Sequence, residues 1–312
     1  MNYDTIILGG GMAGVYIASQ MKDENFCLLE CRTKVGGRHW TVKKDDKVLY
    51  EAGAWRVHSS HRRMMKLLKK YNLETTFLEN SKKPHTYKER GLSKFDENLL
   101  NSNGNIVKAY EKELKSGYQN SHIAESQTFP YDSKEGKFYT INNGQESLIE
   151  MMAKDIQKGK IKLNHKVHDV CKEGKKYKLT VYVGYKKVIS KIFYCSNLIC
   201  CVPKYDASDW TLSKEYLLPI LSSVGVQPLQ HIYAQKTPDM DFSKVRLIPN
   251  DALQQIIKPT HDKSWFQISY SGGRIAKFWN NLHLKHGKDY VKKLLEKYSK
   301  LKLEKIEMYY WT

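Results

Sequence analysis

No run of 18 or more apolar residues free of charge occurs in the 312-residue chain, so neither a membrane-spanning helix nor a membrane partner is expected. Met1-Asn2-Tyr3-Asp4 leads straight into an apolar strand without a signal peptide, which makes the cytoplasm the expected compartment. The six cysteines (Cys27, Cys31, Cys171, Cys195, Cys200, Cys201) contain no Cys-x-x-Cys pair and no matching histidine spacing. Zinc patterns are thereby excluded, no metal site is expected, and buried reduced thiols fit better. No internal repeat is evident, and no long basic block. What the chain has in excess is positive charge, 52 Lys+Arg against 33 Asp+Glu, for a formal net charge of +19. Such a surplus suits a nucleic-acid or acidic-partner surface, the gathering of an anionic substrate, or lysines dispersed over solvated faces. Because 44 of the 52 basic residues are lysine and none form a block, the dispersed reading is favoured over nucleic-acid binding. Hydrophobic residues at 41% and aromatics at 12% exclude a disordered chain, and the length suits two domains.

Thr5-Ile6-Ile7-Leu8 is a continuous apolar run of the buried parallel-strand kind. Met12 to Met21 carries apolar residues at helical spacing, and Phe26-Cys27-Leu28-Leu29 reads as a second buried strand closed by Glu30. Between strand and helix stands Gly9-x-Gly11-x-x-Gly14. Glycines so placed allow a tight turn, close approach of backbone to a pyrophosphate, and close helix–strand packing, while the helix N-terminus offers free N–H groups to phosphate. Glu30 ends the second strand where a carboxylate can accept ribose hydroxyls. A dinucleotide-binding βαβ unit follows from this placement.

Further along, a basic amphipathic helix is expected from about Ser59 to Tyr71, and helices broken by loops from about Asn80 to Lys137. A helix from Gly144 to about Lys158 and a strand at Ile161–Leu163 precede a half-exposed hairpin, Lys178–Val183 with Val188–Phe193. Asn197–Val202 and Ser264–Tyr270 read as two more strands, and about Asp289 to Tyr298 as a last amphipathic helix.

Just past Glu30 lies Val35-Gly36-Gly37-Arg38, and with it the chain resembles the FAD-dependent amine oxidase superfamily. Paired glycines let the main chain hug a cofactor, and a guanidinium neutralises phosphate charge. The resemblance continues at Glu51-Ala52-Gly53-Ala54-Trp55-Arg56, similar to the family segment that passes the flavin ring, and at Asn143–Leu148, Ile161–Val167 and Asn197–Pro203. It implies an α/β fold: a Rossmann-like FAD-binding domain, with parallel sheet and β-meander, at 1–58 and 139–205, and an interleaved α+β substrate domain at 59–138 and 206–312. It implies noncovalent FAD held by Gly9, Gly11, Met12, Ala13, Gly14, Glu30, Gly36, Gly37, Arg38, Gly53, Ala54, Trp55, Arg56 and Val167, the last meeting the adenine end.

Among the family's branches, the segment at Arg56 is most similar to L-amino-acid oxidases, where an arginine holds the substrate carboxylate; pairing with a nearby acid or support of the flavin site are equal alternatives. Many members carry a lysine that reaches flavin N5 through water. No lysine occupies the matching place in Val224–Tyr233, where His231 is the nearest titratable group, a base near neutral pH or a structural strand residue. Trp55, Trp265, Phe266, Tyr270 and Trp279 are available to wall a substrate cavity, or to fill core. Family chains continue into a glycine-rich segment, whereas this one stops at Tyr309-Tyr310-Trp311-Thr312, as a fragment, a shortened version or a protein lacking part of the flavin site.

The activity the resemblance implies is oxidation of a small-molecule amine or α-amino acid. Hydride passes from Cα–H to flavin N5, an imine forms, and O2 reoxidises the flavin to give H2O2. A cationic field weighs against polyamine substrates. The alternative is a catalytically silent flavin-fold module whose basic surface binds nucleic acid or an acidic partner.

Overall fold

The computed structural model describes residues 1–22, 24–59, 61–78, 137–184, 189–223, 226–242, 245 and 252–312. The helices and loops expected between about 80 and 137 lie almost wholly outside these residues. The chain divides into two units, Met1–Trp40 with Gln145–Val226 and Thr41–Gly144 with Gln227–Thr312.

In chain order the elements begin with β1 (Asn2–Leu8), α1 (Met12–Gln20), β2 (Phe26–Leu29), β3 (Thr41–Lys44), β4 (Lys47–Glu51), β5 (Val57–His58), α2 (Arg62–Lys70), β6 (Thr75–Leu78) and β7 (Phe138–Ile141). Then come α3 (Glu146–Lys154), β8 (Ile161–Lys162), β9 (His165–Glu173), β10 (Lys176–Val183), β11 (Ile189–Cys200), α4 (Lys204–Ala207), a π-helical turn (Ser213–Leu217) and α5 (Leu218–Ser223). The last are β12 (Leu229–Lys236), β13 (Trp265–Gly272), α6 (Gly273–His286), α7 (Lys288–Ser299) and β14 (Leu303–Trp311).

The first unit is built on a six-stranded sheet in the order β8-β2-β1-β11-β10-β9. β8, β2, β1 and β11 run parallel, and β11, β10 and β9 form the antiparallel meander. Strands covered on both faces must be apolar throughout, and Ile6, Ile7, Leu8 and Phe26–Leu29 are all buried. Each large side chain so buried contributes roughly 1.5–3 kcal/mol. β10 alternates instead, with Leu179 and Val181 buried in the core around Phe193. Asp169 on β9 accepts from the Thr211 backbone N–H at 2.7 Å and its hydroxyl at 3.0 Å, tying the segment after α4 to the sheet.

The sequence predicts separate strands at 188–193 and 197–202, but β11 is one strand of 12 residues. The residues between them never leave the ladder, since Cys195 pairs with Tyr177 of β10 and with Tyr3 of β1. The same strand is therefore antiparallel to one neighbour and parallel to the other.

The second unit contains the hairpin β3–β4 and the three-stranded sheets β5-β7-β6 and β13-β12-β14. Ile232, Ala234, Phe266 and Ile268 of the last sheet pack with Ile275, Trp279, Leu282, Val291 and Leu295 of α6 and α7. Phe266 and Trp279, available by composition for a substrate wall, are core here, and the Trp279 indole donates to the Ala252 carbonyl at 2.8 Å. α6 escapes a sequence reading because Gly272-Gly273 looks like the end of a strand and polar Asn280-Asn281 interrupts the apolar spacing.

The seams between the two units fall at 40/41, 144/145 and 226/227. The reason is local: Val42, Leu49 and Tyr50 of β3–β4 pack with Tyr233 and Trp265, which commits that hairpin and the segment after it to the second unit.

The first turn of α1 tests the fold most sharply. A Cβ on Gly14 would fall inside the contact radius of the Gly9 carbonyl oxygen, which is backbone and cannot swing away. Gly14→Ala is expected to destabilise the protein by about 1–3 kcal/mol, read as a lower denaturant midpoint; an unchanged midpoint would contradict this packing.

Candidate functional site

In the first unit the glycine turn, Glu30 and the Gly36-Gly37 loop converge. Gly9 donates to the Leu29 carbonyl at 2.9 Å, and Gly36, at φ +136, donates to the Gly10 carbonyl at 2.9 Å, stitching the second glycine loop to the first. Glu30 is 5% exposed. Its Oε2 accepts from the Gly10 N–H at 2.6 Å and its Oε1 from the Arg32 N–H at 2.8 Å. The Cys31 thiol also approaches Oε1, at 3.3 Å, and burial with the adjacent carboxylate pushes that thiol up to about 11. A carboxylate offers about four lone-pair positions, so Oε2 retains capacity for a hydroxyl.

The N-cap of α1 is Gly11, with no side-chain cap and no acid in the first turn formed by Met12, Ala13 and Gly14. Free N–H groups there attract an anion. Arg38 is exposed and forms no ion pair among the described residues. Burial, with the Arg38 charge second, holds the neighbouring His39 imidazole down to about 4, hence neutral. Beside Glu30 lies a cavity of about 450 Å³, whose lining includes Arg32, Lys34, Trp40, Glu146, Asn164 and Lys166. Arg32 and Lys34 stand 5.4 and 5.6 Å from the Trp40 ring centre, and Lys34 pairs with the buried Glu146 at 2.5 Å. Val167 lies next to Lys166 on β9, half-buried and paired with Val181. An uncapped helix N-terminus, an exposed guanidinium, a buried carboxylate and a cavity of this size fit a dinucleotide.

In the second unit Glu51 and Gly53 are buried, Trp55 is half-buried, and Ala54 and Arg56 are exposed. The Arg56 guanidinium lies 4.7 Å from the Trp55 ring centre and 5.0 Å from that of Phe138, with no ion pair among the described residues. The alternative of an ordinary acid partner for Arg56 therefore has no support among them.

His231 on β12 is 1% exposed, with the Tyr270 ring at 5.1 Å and the Tyr233 ring at 6.4 Å. Burial dominates its titration and pulls it down to about 4; the nearby Glu51 carbonyl opposes the shift and the Arg56 charge adds to it. That carbonyl acts electrostatically, since neither ring nitrogen has a hydrogen-bond partner of ordinary geometry among the described residues. Buried polar atoms are normally paired, so an imidazole left so marks a place where a partner is missing.

Trp265 is 7% exposed, 5.0 Å from the Tyr50 ring, and borders a cavity of about 10 Å³, room for one water. It packs with Tyr50 and Tyr233. Tyr270 keeps its place beside His231.

The cradle in the first unit and the Arg56–His231 pair in the second thus gather most of the residues singled out from sequence. Arg32, Lys34, His39, Trp40, Asn164 and Lys166 were missed. A signal existed for Arg32, Lys34, His39, Trp40 and Lys166, each within two residues of a position already chosen, but none for Asn164, which the folding of loops brings to the cavity.

Residues 12–117 match the family described as flavin containing amine oxidoreductase. A flavin-containing amine oxidase of Danio rerio is 32% identical over 75 residues, 23% of this chain and 14% of that relative. Human flavin-containing amine oxidase B is 32% identical over 74 residues, again 14% of its length, so the matched stretch spans about one seventh of these curated relatives. Among solved structures, a protoporphyrinogen oxidase homologue from Exiguobacterium sp. 255-15 superimposes with a TM-score of 0.65 at 15% identity, over 99% of this chain and 86% of the other. A putrescine oxidase point mutant does so with a TM-score of 0.65 at 16% identity, over 96% and 82%. The chain has the flavin-dependent amine oxidase fold, and its N-terminal third is similar to that family in sequence.

The buried histidine carries a pH prediction. A group whose folded pKa lies near 4 and unfolded pKa near 6.5 binds more protons unfolded in between, so His231 removes stability as pH falls through that window. From pH 7 to pH 5 the loss is about 2 kcal/mol for such a group. His231→Gln should flatten the fall in urea midpoint between those pH values; a slope identical to wild type would show that His231 is not buried and neutral.

Proposed function

We propose that the protein is an FAD-dependent oxidase of an amine or α-amino acid. The observation that carries this reading is the convergence of the uncapped α1 N-terminus, buried Glu30 and the Gly36-Gly37 loop, which exposed Arg38 directly follows, on one cradle. The first-turn N–H groups and Arg38 would hold the pyrophosphate, Oε2 of Glu30 an adenosine ribose hydroxyl, and the Arg32–Trp40–Lys166 cavity the adenine end. When bound, FAD supplies the redox chemistry, taking hydride from the substrate Cα–H and passing two electrons to O2 as H2O2.

The residues of the second unit supply placement. Arg56, free of an acid among the described residues, is suited to a substrate carboxylate through two parallel N–H···O bonds. That favours an α-amino acid over a simple amine, and the net charge of +19 disfavours a polycation in the same direction. His231, held neutral, is a weak base at pH 7 and is better suited to hydrogen-bond the neutral amine of the substrate than to carry its proton away. Tyr270 covers one side of that imidazole, Trp55 stacks on Arg56, and both limit water around the reacting carbon.

A panel of amines and α-amino acids scored by peroxide release tests the reading; no peroxide from flavin-loaded protein with any member contradicts it. Arg38→Ala should weaken FAD binding roughly 10- to 100-fold, as expected for loss of a charge-assisted contact. Arg56→Lys should raise KM for an α-amino acid roughly tenfold while leaving the corresponding decarboxylated amine unchanged, because only the carboxylate loses its bidentate partner. An equal effect on both would remove the carboxylate role.

A further inference from the structure

Arg56 has no ion pair among the described residues to hold it, only two ring faces, so its position is inherited from the main chain of the turn that carries it. That turn starts where β4 ends, and its first two carbonyls are both taken by side chains of the β13-β12-β14 sheet. The Tyr233 hydroxyl donates to the Glu51 carbonyl at 2.6 Å, and the Trp311 indole N–H donates to the Ala52 carbonyl at 2.8 Å. Glu51, Ala52 and Tyr233 are all buried, where water offers no equivalent substitute for a lost donor.

The donors are themselves immobilised. Tyr233 stacks on Tyr50 with ring centres 4.1 Å apart, and the Tyr50 hydroxyl meets that of Tyr309 at 3.1 Å. Trp311 sits opposite Leu229, and Tyr309 opposite His231, in the β12–β14 register. The two hydrogen bonds therefore come from His231's own strand, two residues further on, and from the neighbouring strand β14, and they end on consecutive carbonyls of the segment that carries Arg56.

We propose that Tyr233 and Trp311 are positioning residues, a two-point clamp that fixes the Ala52–Arg56 turn to the sheet and so sets the place of the Arg56 guanidinium relative to His231. Neither side chain is assigned contact with substrate or cofactor; each acts through the main chain. The consequence for substrate affinity rests on the oxidase reading above, whereas the clamp itself does not.

Tyr233→Phe keeps its ring and Trp311→Phe puts a smaller aromatic ring in place of the indole; each deletes one donor, and two variants on different strands guard against one failing to fold. Amide hydrogen exchange of the 312-residue chain, with and without FAD, reads the clamp directly. Exchange in the peptide covering residues 52–58 should accelerate roughly tenfold in either variant, with peptides of the first unit unchanged. Unchanged exchange at 52–58 overturns the proposal, as does acceleration spread evenly over the chain.

The functional arm compares KM for an α-amino acid and its decarboxylated amine. The ratio should rise roughly tenfold in both variants, with kcat within about twofold, and Arg56→Lys should raise it similarly. A ratio that rises with Arg56→Lys but not with the clamp variants overturns the positioning role. If no variant moves the ratio, the carboxylate reading of Arg56 fails, and hydrogen exchange alone then decides the clamp.

Discussion

The first unit depends on a backbone-to-backbone contact: the first turn of α1 rests on the Gly9 carbonyl, with no room for a Cβ at Gly14. From that contact follow the aim of the α1 N-terminus, the place of the Gly36-Gly37 loop that bonds to Gly10, and the depth of Glu30 beside both. A helix end whose N–H groups have no side-chain cap is electrostatically incomplete. Arg32 and Lys166 line the cavity beside Glu30, and these two and Arg38, which follows the Gly36-Gly37 loop, are exposed. The cradle is built for a ligand with negative charge and hydroxyls.

The second unit is organised on a different constraint, the burial of an aromatic stack. Tyr50, Tyr233, Trp265 and Tyr309 share ring contacts, and three of their polar tips find partners, the Tyr50 and Tyr309 hydroxyls in each other and the Tyr233 hydroxyl in a main-chain carbonyl. Beside this wall His231 is buried without a hydrogen-bond partner among the described residues, and feels the charge of an arginine held by ring faces. The arrangement costs stability, most of all in acid, and such cost is usually tolerated where a bound group completes the set.

How much of this could be read beforehand follows from the range of the interactions. The βαβ opening was legible because its signals are local: an uninterrupted apolar strand, glycines at fixed offsets and a carboxylate at the strand end. The merging of two expected strands into β11 was not, since nothing between Phe193 and Asn197 marks a break or its absence until Tyr3 and Tyr177 both pair with Cys195. Likewise, Arg56 was found from its neighbours in sequence, whereas the bonds to Glu51 and Ala52 come from Tyr233 and Trp311, 182 and 259 residues away. Trp265 looked like a substrate wall because a strand shows its two faces but not what covers them; here the cover is Tyr50 and Tyr233.

Everything proposed for the chemistry depends on the first unit taking up a flavin dinucleotide. Titration of the purified, flavin-depleted protein with FAD, followed by visible absorbance and by equilibrium dialysis, measures this directly. Saturable one-to-one binding, with a perturbed flavin spectrum and competition by ADP for the adenosine end, is the expected result. No binding of FAD at micromolar protein and cofactor would contradict the flavoenzyme reading, whatever the fold.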